Sequence, residues 1–174
     1  MVLPALALGA CSVFDAPKAD IERAEAQVEH GDYATGIKSF SDLIEKHPRS
    51  KTLREARLNA AMLWIRNYGI SGAEGKDLAS AANAELSPLI ALLEAESAGL
   101  SGAQAATLAA HLGWAHFMRF RIAEADVPGS VEPYFRQALR LDNRNVYANA
   151  MLGNWLLQNK PQAVSEAMEH FHTA

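Results

Sequence analysis

The sequence predicts an all-α fold, on three observations. The 174 residues are 49% hydrophobic but only 7% aromatic, with alanine over-represented. Alanine-rich, β-branched-poor chains favour helices, because Ala loses no side-chain entropy in one. Apolar residues recur at helical spacing along the chain, as at Tyr33, Ile37, Phe40 and Ile44, which marks one face of a 3.6-residue period. Turn residues such as Gly31-Asp32 and Pro48 separate the segments.

Composition also bounds function. The length is enough for one domain with a real core. A net charge of −4 and a pI near 5.8 argue against a nucleic-acid surface, which needs clustered Lys and Arg. No apolar run approaches the roughly 18 residues needed to span a bilayer. One cysteine, Cys11, allows no internal disulfide.

Taken in order, the first helical stripe is Ile21, Ala24 and Val28. Gly31 can end that helix in a left-handed conformation, and Asp32 can cap the next. Ser50 is a plausible N-cap for KTLREARLNAAMLWIRNYG, which carries two adjacent stripes. Leu53, Ala56, Ala60 and Leu63 form one, and Leu58, Met62 and Ile65 the other. A helix apolar on two sides sits between neighbours. GISGAEGKDLASAANAE then interrupts the pattern. Ser87-Pro88 reads as an N-cap followed by proline at the first helical position, leading Leu89, Ile90, Leu92 and Leu93. From Ser101 the stripe is Leu108, Leu112, Trp114 and Phe117. IAEADVPGS interrupts again, and the helix from Val131 carries Phe135, Ala138 and Leu141. Leu152, Gly153 and Leu156 mark the next helix, and Ala167, Phe171 and Ala174 the last.

Residues 24–48 place Ala24, Gly36, Phe40 and Pro48 where a tetratricopeptide repeat has its small, small, large apolar and closing proline residues. The stretch resembles one such repeat, a 34-residue helix–turn–helix unit that is stable only in stacks. Leu112-Gly113 and Leu152-Gly153 match the family's Leu-Gly pair, whereas Asp142-Asn143 lacks the family's proline. The resemblance implies a right-handed superhelical α-solenoid over residues 20–174. About four repeats are expected, at 20–49, 50–99, 101–143 and 145–174. Phe135 and Phe171 lie 36 residues apart, and Leu93 and Phe135 lie 42 apart, about one period and one period plus a lengthened turn. Phe40 and Leu93 lie 53 apart, which matches the long interruption at 69–86. Both insertions fall inside a repeat, so residues 69–84 and 123–130 are expected to project from the same edge. The chain stops within what should be a helix, without the polar cap that solenoid ends need, so a truncated C-terminal end is expected.

The first eleven residues are apolar or small and end in Leu8-Gly9-Ala10-Cys11, which resembles a bacterial lipobox. In that family a peptidase cuts before the cysteine, whose sulfur is then diacylated. Residues 12–19 would form a tether, and Ser12 resembles an outer-membrane sorting choice. The resemblance implies a protein held by acyl chains on the periplasmic face of the outer membrane without spanning it. No Lys or Arg precedes the apolar run, which is only about ten residues long. The alternative is therefore a cytoplasmic protein with a free thiol at Cys11.

Other chemistry finds little support. Gly75-Lys76 resembles the end of a phosphate-binding loop, but Ile70 and Asp77 stand where the motif needs Gly and a hydroxyl, and no strand precedes it. His111 and His116 are five apart and diverge around a helix; His170 and His172 are two apart, about 200° around the axis. Neither pair has metal-ligand spacing, and no GxSxG or HExxH occurs. No enzyme, cofactor or metal is expected.

What remains is recognition. In the resembled family the first helix of each repeat lines a groove. The matching positions here are Arg57, Ala61, Trp64 and Ile65, then Ala110, Trp114 and Phe117, then Ala150, Asn154 and Leu157. The two tryptophans can be read as groove floor or as core. The expected function is a non-catalytic protein–protein interaction scaffold of the bacterial envelope. Its groove would bind a peptide or helix of an unknown protein client in an assembly or transport complex. A cytosolic adaptor of the same fold and the regulatory repeat domain of a larger enzyme are the alternatives.

Overall fold

The computed structural model describes residues 16, 18–68, 78–123 and 131–174. Among them are eight α-helices: α1 (Lys18–Glu29), α2 (Tyr33–Lys46), α3 (Lys51–Asn67), α4 (Leu78–Ser97), α5 (Gly102–Ala123), α6 (Glu132–Leu141), α7 (Val146–Asn159) and α8 (Val164–Thr173). A 3-10 turn over Pro161–Ala163 leads into α8. The described residues contain no strand and no helix long and apolar enough to cross a membrane. Residues 1–60 and 61–174 form two compact units.

In the first unit α1 and α2 form a hairpin. Gly31, at φ +84, closes α1: Asp32 N donates to Gln27 O at 2.9 Å and Gly31 N to Val28 O at 3.0 Å. These two bonds satisfy carbonyls that a helix end otherwise leaves bare. Asp32 then caps α2 by accepting from Thr35 N at 3.4 Å, and Ser50 Oγ accepts from Leu53 N in the same way at the start of α3. Ala24, Phe40, Leu43, Leu53 and Ala60 are the core, with Ile21, Val28, Ile37, Ile44 and Ala56 around them.

In the second unit α4 and α5 are antiparallel, and Arg119 Nε donates to Asn83 Oδ1 at 3.2 Å between them. The beginning of α4 differs from the sequence expectation. Ser87-Pro88 is not a helix start; α4 begins at Leu78 and Pro88 lies within it. Ser87 Oγ donates back to Asn83 O at 2.6 Å instead of capping. An interior proline costs about 3 kcal/mol in a helix, and packing offsets it here. Ala82, Leu86, Leu89, Ile90 and Leu93 continue one buried stripe through the proline. Pro88 and Ala84 are exposed, so the carbonyl deprived of its N–H faces solvent. The expected interruption is therefore shorter, because residues 78–86 are helical. Residues 69–77 and 124–130 lie outside the described residues. The helix ends that flank them, the start of α4 and the end of α5, lie at the same end of the hairpin.

Helix α5 packs against α4, α6 and α7, and α7 packs against α6 and α8. Phe117, Val131, Phe135, Leu152, Trp155, Leu156 and Ala167 form the main core of this unit. Where α6 ends, Asp142 takes over the task of the absent proline, its carboxylate accepting from Arg144 N at 3.1 Å. Asn145 caps α7 by accepting from Ala148 N at 2.8 Å. An ion network ties α6 to α8: Glu132 bonds Arg136 at 2.6 Å and Lys160 at 2.7 Å, and Arg136 reaches Glu166 at 2.7 Å. Burial alone would raise the Glu132 carboxyl, but the Lys160 and Arg136 hydrogen bonds outweigh it and hold the group below the usual carboxylate range.

Candidate interaction surface

Helices α5 and α7 run side by side in the same direction, and three rungs fix their register. Asn145 Nδ2 donates to Thr107 Oγ1 at 3.2 Å, the His111 and Tyr147 rings stack at 4.2 Å, and Arg121 Nη1 donates to Gln158 Oε1 at 2.7 Å. The rungs join residues 38, 36 and 37 positions apart, a near-constant offset over about four helical turns. Buried alanines Ala109, Ala110, Ala138 and Ala148 let α5, α6 and α7 approach closely.

Along α5 the face is aromatic and then basic. Trp114 lies 5.2 Å from Phe117, centroid to centroid, and the Arg121 guanidinium sits 5.9 Å from the Phe117 ring. Along α7 it is a carboxamide row, with Gln158 Nε2 donating to Asn154 Oδ1 at 2.7 Å. The Arg121–Gln158 rung joins the two rows. The result is an apolar strip at Trp114 bordered by hydrogen-bonding groups that face water. Such a surface can hold an apolar side chain and bond to the polar groups beside it.

At the other end of the seam the chemistry is structural. Buried His111 donates from Nδ1 to the Thr107 carbonyl at 2.7 Å. Burial pushes its pKa down to about 4; the Thr107 bond opposes the shift and the Arg66 charge adds to it. The ring is therefore neutral at pH 7. Burial raises the Tyr147 phenol, whose hydroxyl has no hydrogen-bond partner among the described residues. His116 turns the other way and stacks on Tyr134 of α6 at 4.9 Å. The two α5 histidines thus face different helices, as their five-residue spacing requires.

Of the ten residues expected in a groove, the structure brings some to a surface and not others. Ala61, Ile65, Ala110 and Phe117 are buried and cannot touch a partner. Each sits on the inner side of its helix, where apolar packing takes precedence over display. Arg57 belongs to the first unit, where its Nη1 donates to Ser41 Oγ on α2 at 3.4 Å. Trp64 and Trp114 are half-buried, and Trp114 packs on the core with part of its ring left open. Trp114 thus contributes to packing, and its exposed part faces solvent. Ala150 and Asn154 are half-buried and Leu157 is exposed. Cys11 lies outside the described residues.

Two residues of this face, Arg121 and Gln158, escaped the sequence reading. Each is one turn beyond a residue that was chosen: Arg121 follows Phe117 by four, and Gln158 follows Asn154 by four. Helical spacing alone could have found them. No protein-family model matches the chain, and no curated protein is found as its relative.

Proposed function

We propose that the chain is a tetratricopeptide-like α-solenoid acting as a non-catalytic protein–protein interaction scaffold. The face built by α5 and α7 takes an apolar peptide or helix of a protein client. The observation that carries this reading is the parallel register of α5 and α7, held by three rungs 36 to 38 residues apart. Helices one repeat period apart that stack in parallel are what a solenoid of 34-residue units requires. The contacts of α5 with α4, α6 and α7 fit the same nearest-neighbour scheme. In this reading Cys11 is acylated, the protein is anchored at the periplasmic face of the outer membrane, and the client is an envelope assembly or transport component.

Two measurements test it. Trp114→Ala should abolish client capture from the native envelope while leaving helix content, read by circular dichroism, essentially unchanged. A large loss of helix would instead make Trp114 a core residue only. Palmitate labelling should modify the protein expressed with its leader and fail with Cys11→Ala; an unlabelled wild-type protein would remove the envelope assignment.

A further inference from the structure

The polar row beside Trp114 has a fixed sense. Arginine can only donate, so the 2.7 Å bond from Arg121 Nη1 fixes its partner atom on Gln158 as the carbonyl oxygen Oε1. The Gln158 amide nitrogen then points the other way and donates to Asn154 Oδ1 at 2.7 Å. Both carboxamide oxygens are thus engaged within the row. What the row offers outward is donors: the remaining N–H groups of Arg121, one N–H of Gln158 and the amide of Asn154. Arg121 and Gln158 are exposed and Asn154 is half-buried. The charge around the row has the same sign. Helices α5 and α7 contain no Asp or Glu, whereas each of the other helices contains at least one. Arg121 has no ion pair among the described residues. The net charge of −4 therefore sits on other elements, and at physiological ionic strength it is screened beyond about 8 Å.

Given the client face proposed above, on which this inference rests, we infer that the client segment is acidic as well as apolar. One apolar side chain lies on Trp114, and a carboxylate beyond it accepts from Arg121 and the neighbouring carboxamides. A carboxylate has only acceptors and a guanidinium only donors, and their charge-assisted bonds are the strong kind. A lysine in the same place finds no free acceptor in the row and meets a like charge. Trp114 and Arg121 are seven residues apart, about 10 Å along the axis of α5. That distance is spanned by residues about seven apart on a client helix lying along the seam, or about three apart in an extended segment.

Fluorescence anisotropy with labelled synthetic peptides on the whole chain tests this. The probes carry a leucine followed, at either spacing, by glutamate, glutamine or lysine, and a control set has alanine for leucine. The glutamate peptide should bind about three- to fivefold more tightly than the glutamine peptide, as an exposed ion pair adds little more than that, and the lysine peptide should bind least. Salt near 1 M, with a Debye length of about 3 Å, should shrink the preference. Arg121→Gln should abolish the glutamate preference and keep the leucine preference, and Arg121→Glu should favour the lysine peptide. Arg140→Gln, at an exposed arginine of α6, should change neither, and circular dichroism should show all variants folded. Leucine peptides bound through Trp114 with no regard to glutamate, glutamine or lysine would overturn the acidic client and leave the client face standing. A glutamate preference that survives Arg121→Gln would also overturn it. Binding indifferent to Trp114→Ala, or no binding by any peptide, would remove the face itself and the inference with it.

Discussion

A Cβ built on Gly113 would stand 2.7 Å from Phe135 Cε1 and 3.0 Å from Tyr134 Cβ. The glycine is therefore a contact surface, the flat place on α5 against which the α6 ring is seated. Gly113→Ala should destabilise the protein by about 1–3 kcal/mol through overpacking, although alanine improves intrinsic helix propensity by about 1 kcal/mol. Gly153→Ala meets Phe171 at 2.9 Å and the Ala167 carbonyl at 3.1 Å; the half-exposed ring can swing aside but the backbone oxygen cannot, so this variant should also destabilise, by no more than Gly113→Ala. Urea unfolding of both variants checks the order.

At Gly31 the reason for glycine is different. Nothing lies within 4 Å of a Cβ placed there, but φ is +84. Gly31→Ala should cost about 1 kcal/mol from the left-handed backbone alone, and Gly31→Asn less, since Asn tolerates that region. Thermal unfolding of the two variants separates backbone strain from packing.

His111 gives the stability curve a pH dependence of known sign. Its folded pKa, about 4, lies below the unfolded value near 6.5, so between those values the unfolded chain binds more protons. The stability it contributes is fully present above pH 6.5 and is lost as pH falls toward 4. Between pH 7 and pH 5 the wild type should lose about 2 kcal/mol more than His111→Phe, which keeps a ring on Tyr147. Parallel urea titrations at the two pH values give the difference.

Glu132 holds two cations, and its side chain is only 13% exposed. Glu132→Gln should destabilise by about 1 kcal/mol by leaving Arg136 and Lys160 facing each other across a neutral group. Raising salt should narrow the gap between variant and wild type, because screening weakens the native pairs.

The sequence was most legible where a local rule decided the outcome. Gly31, Asp32 and Ser50 act as helix stop and caps because their conformations and side-chain bonds are fixed within a few residues. Proline misled at Pro88, where the local signal for a helix start was overridden by a buried stripe running from Ala82 to Leu93, a tertiary effect. The exposure of the residues expected in a groove was hard to read for a related reason. Helical position puts Trp114 and Ala110 on one side of α5, but which of them reaches water depends on how closely α7 and α6 approach. Arg121 and Gln158 gain their meaning only when α5 and α7 are set side by side, which no single helix reveals.

The proposed role of the α5–α7 face is to bind a protein client. A photo-crosslinking residue at Gln158, with a control at exposed Lys38 on α2, tests this when irradiated in native envelopes. A defined adduct is expected from position 158, lost with Trp114→Ala and absent from position 38. The same adducts from both positions, or an adduct from 158 that persists with Trp114→Ala, would contradict it.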